Sequence, residues 1–147
     1  MTPTRGAFIG AEHQFPVHVY FEDTDLSGIV YHANYLRYFE RARSDMLARV
    51  GIDQRAAIEA GKGAYAVTQM DIKWKRPAKL DDDLIVVSSV RQVRAASCFI
   101  QQAVMRGDEI LCEATVTAAL LSPEGRPVRQ PADWIEKFKA IVAEGEE

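Results

Sequence analysis

The chain has 147 residues, 48% of them hydrophobic and 27% charged, with a net charge of −3. That length suits a single domain over 1–147, with a core at about 16–142, and the composition excludes a collagen-like repeat or extensive disorder. The acidic balance argues against nucleic acid as a bulk partner. The opening residues hold no apolar leader and nowhere is there a run of about 18 apolar residues, so the chain reads as cytoplasmic, with loose attachment to a membrane surface left open.

Alternation predicts a first strand over Pro16–Glu22, with His18, Tyr20 and Glu22 on one face and Val17, Val19 and Phe21 on the other. Its end carries Asp23 and Asp25 into a turn. From about Tyr31 to Val50 the period becomes helical: Tyr35, Phe39, Ala42, Met46 and Val50 share one face, widened by Leu36 and Leu47, and Gly51 supplies a stop. A short helical turn fits residues 53–63, ending at Gly61 and Gly63. Four strands follow, Ala64–Arg76, Asp83–Val93, Ser97–Arg106 and Glu109–Leu121, with Pro77 closing the first and Gly107-Asp108 turning the third into the fourth. Their short links predict an antiparallel meander. After a polar loop over Ser122–Pro131, a closing helix presents Trp134, Phe138 and Ile141, with Pro131 at its first turn. The order strand, long helix, four strands, short helix is an α+β pattern in which one antiparallel sheet covers one apolar helix.

Cys98 and Cys112 lie in predicted strands without C-x-x-C spacing, and read as reduced core residues. His13, His18 and His32 form no i, i+4 pair and no catalytic-zinc spacing, so no metal is expected. A G-x-S-x-G elbow and a glycine-rich phosphate loop are both missing, which leaves serine-hydrolase and nucleotide-hydrolase chemistry without an anchor. The basic residues Lys73, Lys75, Arg76, Lys79, Arg126 and Arg129 are mostly a solvated face, one or two of which would meet a phosphate.

Chemistry concentrates in Glu22–Arg43, E-D-T-D-L-S-G-I-V-Y-H-A-N-Y-L-R-Y-F-E-R-A-R, where two carboxylates, a glycine and a histidine stand just ahead of the long helix. A helix start gathers unpaired N–H groups and partial positive charge, which stabilise an oxygen that turns negative during reaction. Asp25 would be the adjacent base or nucleophile. The plainer alternative is that Asp23 and Asp25 only shape a turn or cap the helix.

The E-D-T-D-x-x-G-x-V-Y-H-x-N-Y segment and the element order resemble the 4-hydroxybenzoyl-CoA thioesterase group of the hotdog-fold superfamily, and within it the Tol-Pal-associated, YbgC-type acyl-CoA thioesterases. The resemblance runs from about Val17 to Ile141 and includes the runs Arg76–Asp82 and Gly125–Pro131. It implies a sheet wrapped around the Tyr31–Val50 helix and a homo-oligomer, dimer or tetramer, with two sites at the subunit interface. It implies that Asp25 is the catalytic carboxylate, attacking the thioester carbonyl or activating water, and that the His32 backbone N–H meets the thioester oxygen. Gly28 would then allow close approach of the substrate, the His32 ring would bond water or substrate or hold the Asp25 loop, and Tyr31 and Asn34 would support the substrate site. Glu40, the acid of a different hotdog arrangement, is better read here as solvated or paired with Arg37 or Arg43.

The substrate implied is an acyl-CoA or acyl-carrier-protein thioester, split to a carboxylic acid and a free thiol, with no separate cofactor because coenzyme A is part of the substrate. Two alternatives compete. One is a hotdog hydratase or dehydratase, which keeps its acid–base pair in a different motif; the seven-residue step from Asp25 to His32 favours the thioesterase. The other is a non-catalytic acyl-CoA-binding hotdog protein, which has no need of Asp25.

Overall fold

The structure, a computed structural model, describes residues 1–143; residues 144–147 lie outside the described residues. Its six-stranded antiparallel sheet has the order β1-β2-β4-β5-β6-β3, with β1 at Ala7–Ile9, β2 at Glu12–His18, β3 at Ala64–Trp74, β4 at Asp83–Val93, β5 at Ser97–Arg106 and β6 at Glu109–Leu121. The helices are α1, Asn34–Arg49, α2, Gln54–Glu59, and α3, Ala132–Lys139.

The first strand differs from expectation at both ends. It starts earlier, as the second arm of a hairpin with β1 that pairs Ala7 with Gln14, and it stops at His18 rather than Glu22. Phe21–Asp23 instead winds into a single 3-10 turn, closed by the Asp23 N–H to Tyr20 O (3.0 Å) and by the Tyr20 N–H to Asp23 Oδ2 (2.8 Å). Val17 and Val19 are buried as alternation requires, but the turn carries Phe21 out into solvent.

The meander is also only partly found. β4, β5 and β6 are sequential neighbours, whereas β3 lies at the far edge, hydrogen-bonded to β6 and separated from β4 by β5 and β6. The chain leaves β3 when the Lys75 and Arg76 N–H groups both donate to Leu111 O (2.8 and 3.0 Å). Residues 76–82 then carry it back to β4, which pairs with β2 from His13↔Ser88 to His18↔Asp83.

α1 buries Tyr35, Tyr38, Phe39, Ala42, Met46 and Leu47 on one face of the sheet. Its apolar stripe is rotated from the expected one: Tyr38 is 1% exposed, while Leu36 is 41% exposed. The backbone of α1 comes closest to β1, β2, β4 and β5, and its buried face packs with Leu111, Ala114 and Val116 of β6 and with Met70 and Ile72 of β3 as well. Tyr38 faces the covered side and Leu36 the other. Trp134 and Phe138 of α3 close the C-terminal end of this core against Met46, Leu47 and Ile52, with Ile141 half-buried beside them. Pro131 stands one position before the expected one, as the residue capping α3.

Several buried polar side chains are partnered across elements. Gln102 donates to Phe39 O (3.1 Å) and Ser88 Oγ (2.9 Å) and accepts from Arg43 Nη1 (2.9 Å). His13 Nε2 meets Asp45 Oδ2 at 2.7 Å, tying β2 to α1. Cys98 and Cys112 are buried free thiols, each pushed up to about 12 by burial. Among the described residues, no helix is long and apolar enough to cross a membrane.

Candidate active site

The loop between β2 and α1 is a short, tightly bonded ribbon. Thr24 bridges to Val30, the Asp25 N–H donates to Ile29 O (2.9 Å), and the Gly28 N–H returns to Asp25 O (3.1 Å). Gly28 closes this turn at φ +79°, a conformation side chains with a Cβ rarely adopt, and an added Cβ would meet nothing within 4 Å. The glycine is therefore required by backbone conformation, and the space over it is open.

Asp25 is exposed. Its Oδ1 accepts from both the Ser27 hydroxyl (2.5 Å) and the Ser27 N–H (2.9 Å). The hydroxyl first, and then the N–H, holds the carboxyl below its ordinary range, because both bonds favour the charged form. The result is a carboxylate at neutral pH, with Oδ2 the oxygen that has no hydrogen-bond partner among the described residues. Ser27 was not singled out from the sequence. The D-x-S spacing was its signal, since a serine two residues after an aspartate bonds it locally.

α1 begins at Asn34, three residues later than expected, and His32 sits in the turn that enters it. Ala33 caps the helix without a side-chain hydrogen bond, and no acidic residue occupies the first turn. Among the described residues the His32 N–H donates to no backbone carbonyl, while the His32 carbonyl accepts from Trp74 Nε1 at 3.0 Å. The exposed His32 ring lies against Tyr31 (4.6 Å between centroids) and edge-on to Trp74 (5.7 Å). Asn34 points inward: it is buried, and its Nδ2 donates to Asp23 O (2.8 Å), the carbonyl that also accepts from the Tyr31 N–H (3.0 Å). Asn34 thus fixes the peptide that leads into Asp25.

The crossover 76–82 forms the bed of this loop. The Val30 N–H donates to Ala78 O (2.9 Å), Ile29 bridges to Lys79, and the buried Tyr35 hydroxyl accepts from the Ala78 N–H (3.0 Å). Arg106 anchors the crossover from beyond, through Asp82 Oδ2 (2.8 Å) and two bonds to Glu109 Oε1. Neither Tyr35 nor Trp74 was readable as a site residue, since their partners lie 43 and 42 residues away.

The remaining candidates lie elsewhere. Lys75 pairs with Glu113 (3.0 Å) and Arg76 with Glu109 (2.7 Å), while Lys73, Lys79, Arg126 and Arg129 are exposed. Glu40 is exposed on α1, outside the Asp25 loop. His18 lies between Asp83 (2.6 Å) and Asp81 (3.3 Å). Among the described residues, no cluster of His, Cys, Asp and Glu could hold a metal ion.

A single antiparallel sheet packed on one long helix, with an ionised aspartate in the loop before that helix, defines a class, and comparison with known proteins gives its family. Residues 19–142 match the family model described as the thioesterase-like superfamily. The acyl-CoA thioesterase YbgC of Haemophilus influenzae is 40% identical over 120 residues, covering 81% of this chain and 88% of that protein. The acyl-CoA thioester hydrolase YbgC of Escherichia coli is 36% identical over 128 residues, covering 86% and 95%. The crystal structure of a probable thioesterase from Bartonella henselae superimposes with a TM-score of 0.77 at 37% identity, over 82% of this chain and 99% of that one. The chain belongs to the thioesterase-like superfamily and has its hotdog fold.

Proposed function

We propose that this protein hydrolyses acyl-CoA thioesters, with Asp25 as the reacting carboxylate and the His32 N–H as a donor to the thioester oxygen. The observation that carries this is Asp25 itself: exposed, held ionised by Ser27, and a few residues ahead of an uncapped helix start. The relatives named as acyl-CoA thioesterases support the same substrate class.

Two routes use this geometry. In the direct route Asp25 attacks the carbonyl carbon, the carbon–sulfur bond breaks, and coenzyme A leaves as the thiolate. Water then splits the mixed anhydride and restores the carboxylate. In the other, Asp25 takes a proton from water as that water adds to the carbonyl, and returns it to the departing thiolate. In both, the carbonyl oxygen gains negative charge beside the helix start, where a preorganised N–H is worth most. Gly28 keeps the approach open, and Tyr31, Asn34 and Trp74 position the donor.

The assembly belongs to the same proposal. β3 is 11 residues long, pairs among the described residues only with β6, and carries exposed Val67 and Trp74. An open edge of this length invites a partner strand, so two copies abut along β3, placing the sites at the interface, and two such dimers make a tetramer. A cytoplasmic location suits an acyl-CoA substrate and two reduced thiols.

Asp25→Asn tests the function. Thiol release from acyl-CoA should vanish while circular dichroism and coenzyme A binding persist, and Asp23→Asn should cost much less. A folded Asp25→Asn protein with near wild-type turnover would refute the assignment. In a single turnover in oxygen-18 water, label in the Asp25 side chain identifies the direct route, with water attacking the Asp25 carboxyl carbon of the anhydride.

A further inference from the structure

Where β2 ends, His18 stands between two carboxylates. Its Nδ1 lies 2.6 Å from Asp83 Oδ1 and its Nε2 3.3 Å from Asp81 Oδ1, while the Tyr20 ring meets it edge-on at 4.7 Å between centroids. Asp81, Asp83 and Tyr20 are the titratable groups against the ring among the described residues; Thr4, Pro16 and Ile85, which border the same hollow, are uncharged. An ionised carboxylate only accepts a hydrogen bond, and a neutral imidazole has a single N–H to give. Only the imidazolium donates on both sides at once. In keeping with a protonated ring, the Asp83 bond foremost, and Asp81 beside it, raise His18 above its ordinary value against the desolvation that lowers it.

The ring grips the crossover 76–82 at its most constrained residue. Asp81 has φ +70° and is the one non-glycine residue in the left-handed region among the described residues. Aspartate enters that region more readily than most side chains, yet a residue held there persists only where its surroundings over-determine it. The backbone on either side is laddered to the end of β2: the Asp81 N–H donates to Val19 O and the Val19 N–H to Asp82 O, both at 3.0 Å. The imidazolium adds the hold on the Asp81 side chain. One residue back, the Leu80 N–H reaches Gly28 O at 3.4 Å, longer than the neighbouring bond from the Val30 N–H to Ala78 O at 2.9 Å. The weakest tie between the crossover and the Asp25 turn is thus the one next to Asp81.

We propose that His18 is a positioning residue for the Asp25 site: its imidazolium holds Asp81, Asp81 keeps Leu80 against Gly28, and loss of the ring proton loosens the turn that carries Asp25. The proposal rests on the thioesterase function above, and His18 acts through the crossover, not on the substrate. The direction of the pH effect follows. A group raised in the folded protein contributes fully below its unfolded value, about 6.5 for histidine, and loses that contribution as pH climbs through the folded value. Turnover therefore weakens on the alkaline side. Because the clamp is at the surface, the loss is limited to about two- to fivefold, the range of exposed ion pairs. It falls on kcat, since a displaced Asp25 reacts more slowly once substrate is bound.

The test follows thiol release from octanoyl-CoA between about pH 6 and about pH 9, a span that brackets the histidine range, in wild type, His18→Arg, His18→Gln and Asp81→Gly. Wild-type kcat should fall about two- to fivefold toward the alkaline end. Arginine stays charged and offers a planar fork of donors, so His18→Arg should keep the acid-side rate and lose the alkaline fall. His18→Gln, neutral throughout, should stay near the wild-type alkaline rate at every pH. Glycine takes a positive φ freely, so Asp81→Gly should also flatten the profile. Nuclear magnetic resonance reads the clamp without turnover: the His18 ring should titrate above about 6.5, and the Gly28 amide should shift with the same midpoint in wild type and not in His18→Arg. An alkaline fall that survives in folded His18→Arg, a His18 ring that titrates at or below its ordinary value, or a Gly28 amide indifferent to that titration would overturn the proposal. A wild type inert toward octanoyl-CoA at every pH would count against the thioesterase reading instead, and the Gly28 amide would then decide on the clamp.

Discussion

Replacing His32 by alanine and by proline separates its backbone from its side chain. Alanine keeps the N–H and removes the ring, which packs on Tyr31 and Trp74 from an exposed position. Proline removes the N–H as well. That donor serves no backbone carbonyl among the described residues, and residue 32 lies ahead of α1, so proline breaks no helix bond and avoids the cost of about 3 kcal/mol that it carries in a helix interior. The acceptor side of residue 32, the carbonyl bonded to Trp74, is present in both variants. Loss of one oxyanion donor costs about 100- to 1,000-fold in kcat, or roughly 3–4 kcal/mol. The alanine variant should therefore retain a sizeable fraction of wild-type turnover, and the proline variant should fall below it by two to three orders of magnitude. Steady-state thiol release, on proteins matched by circular dichroism and light scattering, makes the comparison. Equal activity of two folded variants would remove the helix start from the mechanism, and complete loss in the alanine variant would make the imidazole the reacting group.

Other outcomes follow from the loop and its bed. Ser27→Ala removes the bond that contributes most to depressing Asp25, so the acid limb of the kcat/KM–pH profile should move to higher pH; an unmoved limb would take Asp25 out of the rate profile. The sign is the same for stability: a depressed carboxylate contributes fully above its unfolded value and loses that contribution as pH falls through the folded one. Tyr35→Phe leaves the buried Ala78 N–H without its acceptor, a loss of about 1–3 kcal/mol, and should lower Tm by about 2–10 °C, measurable by thermal melting and refuted by an unchanged Tm. Light scattering at assay concentration should show a dimer or tetramer, and a fully active monomer would rule out a shared interfacial site.

The parts of the molecule legible in the sequence are those set by neighbours along the chain. Asp83–Val93, Ser97–Arg106 and Glu109–Leu121 have the bounds that alternation assigns them, because their β-branched and aromatic residues recur at a period of two and their turns are marked by Gly107 and the residues after Val93. The place of β3 was not legible: its alternation is equally satisfied beside β4 or beside β6, and only the crossover at 76–82 decides. Leu36 and Tyr38 are both apolar neighbours of one stripe, and which is buried depends on where the sheet lies relative to α1. At the site, Asp25 and Gly28 stand out because a motif places them. Ser27 lay within reach of local rules, while Tyr35, Trp74 and Arg106 act on the loop from distant sequence positions.

The crossover beneath the Asp25 loop has a consequence for the order in which the protein is made. The loop rests on hydrogen bonds from residues 76–82 and on side chains of α1 and β3, with Tyr35 and Ala78 separated by 43 residues and His32 and Trp74 by 42. Contacts of such long sequence separation are entropically expensive and form slowly. The Asp25 loop therefore reaches its geometry only once β3 has docked at the far edge and the chain has returned to start β4. A nascent or partly refolded chain can hold its α1 and its β4–β6 ladder and still be inert, so recovery of thiol release should lag behind recovery of helix and sheet signal in a refolding time course.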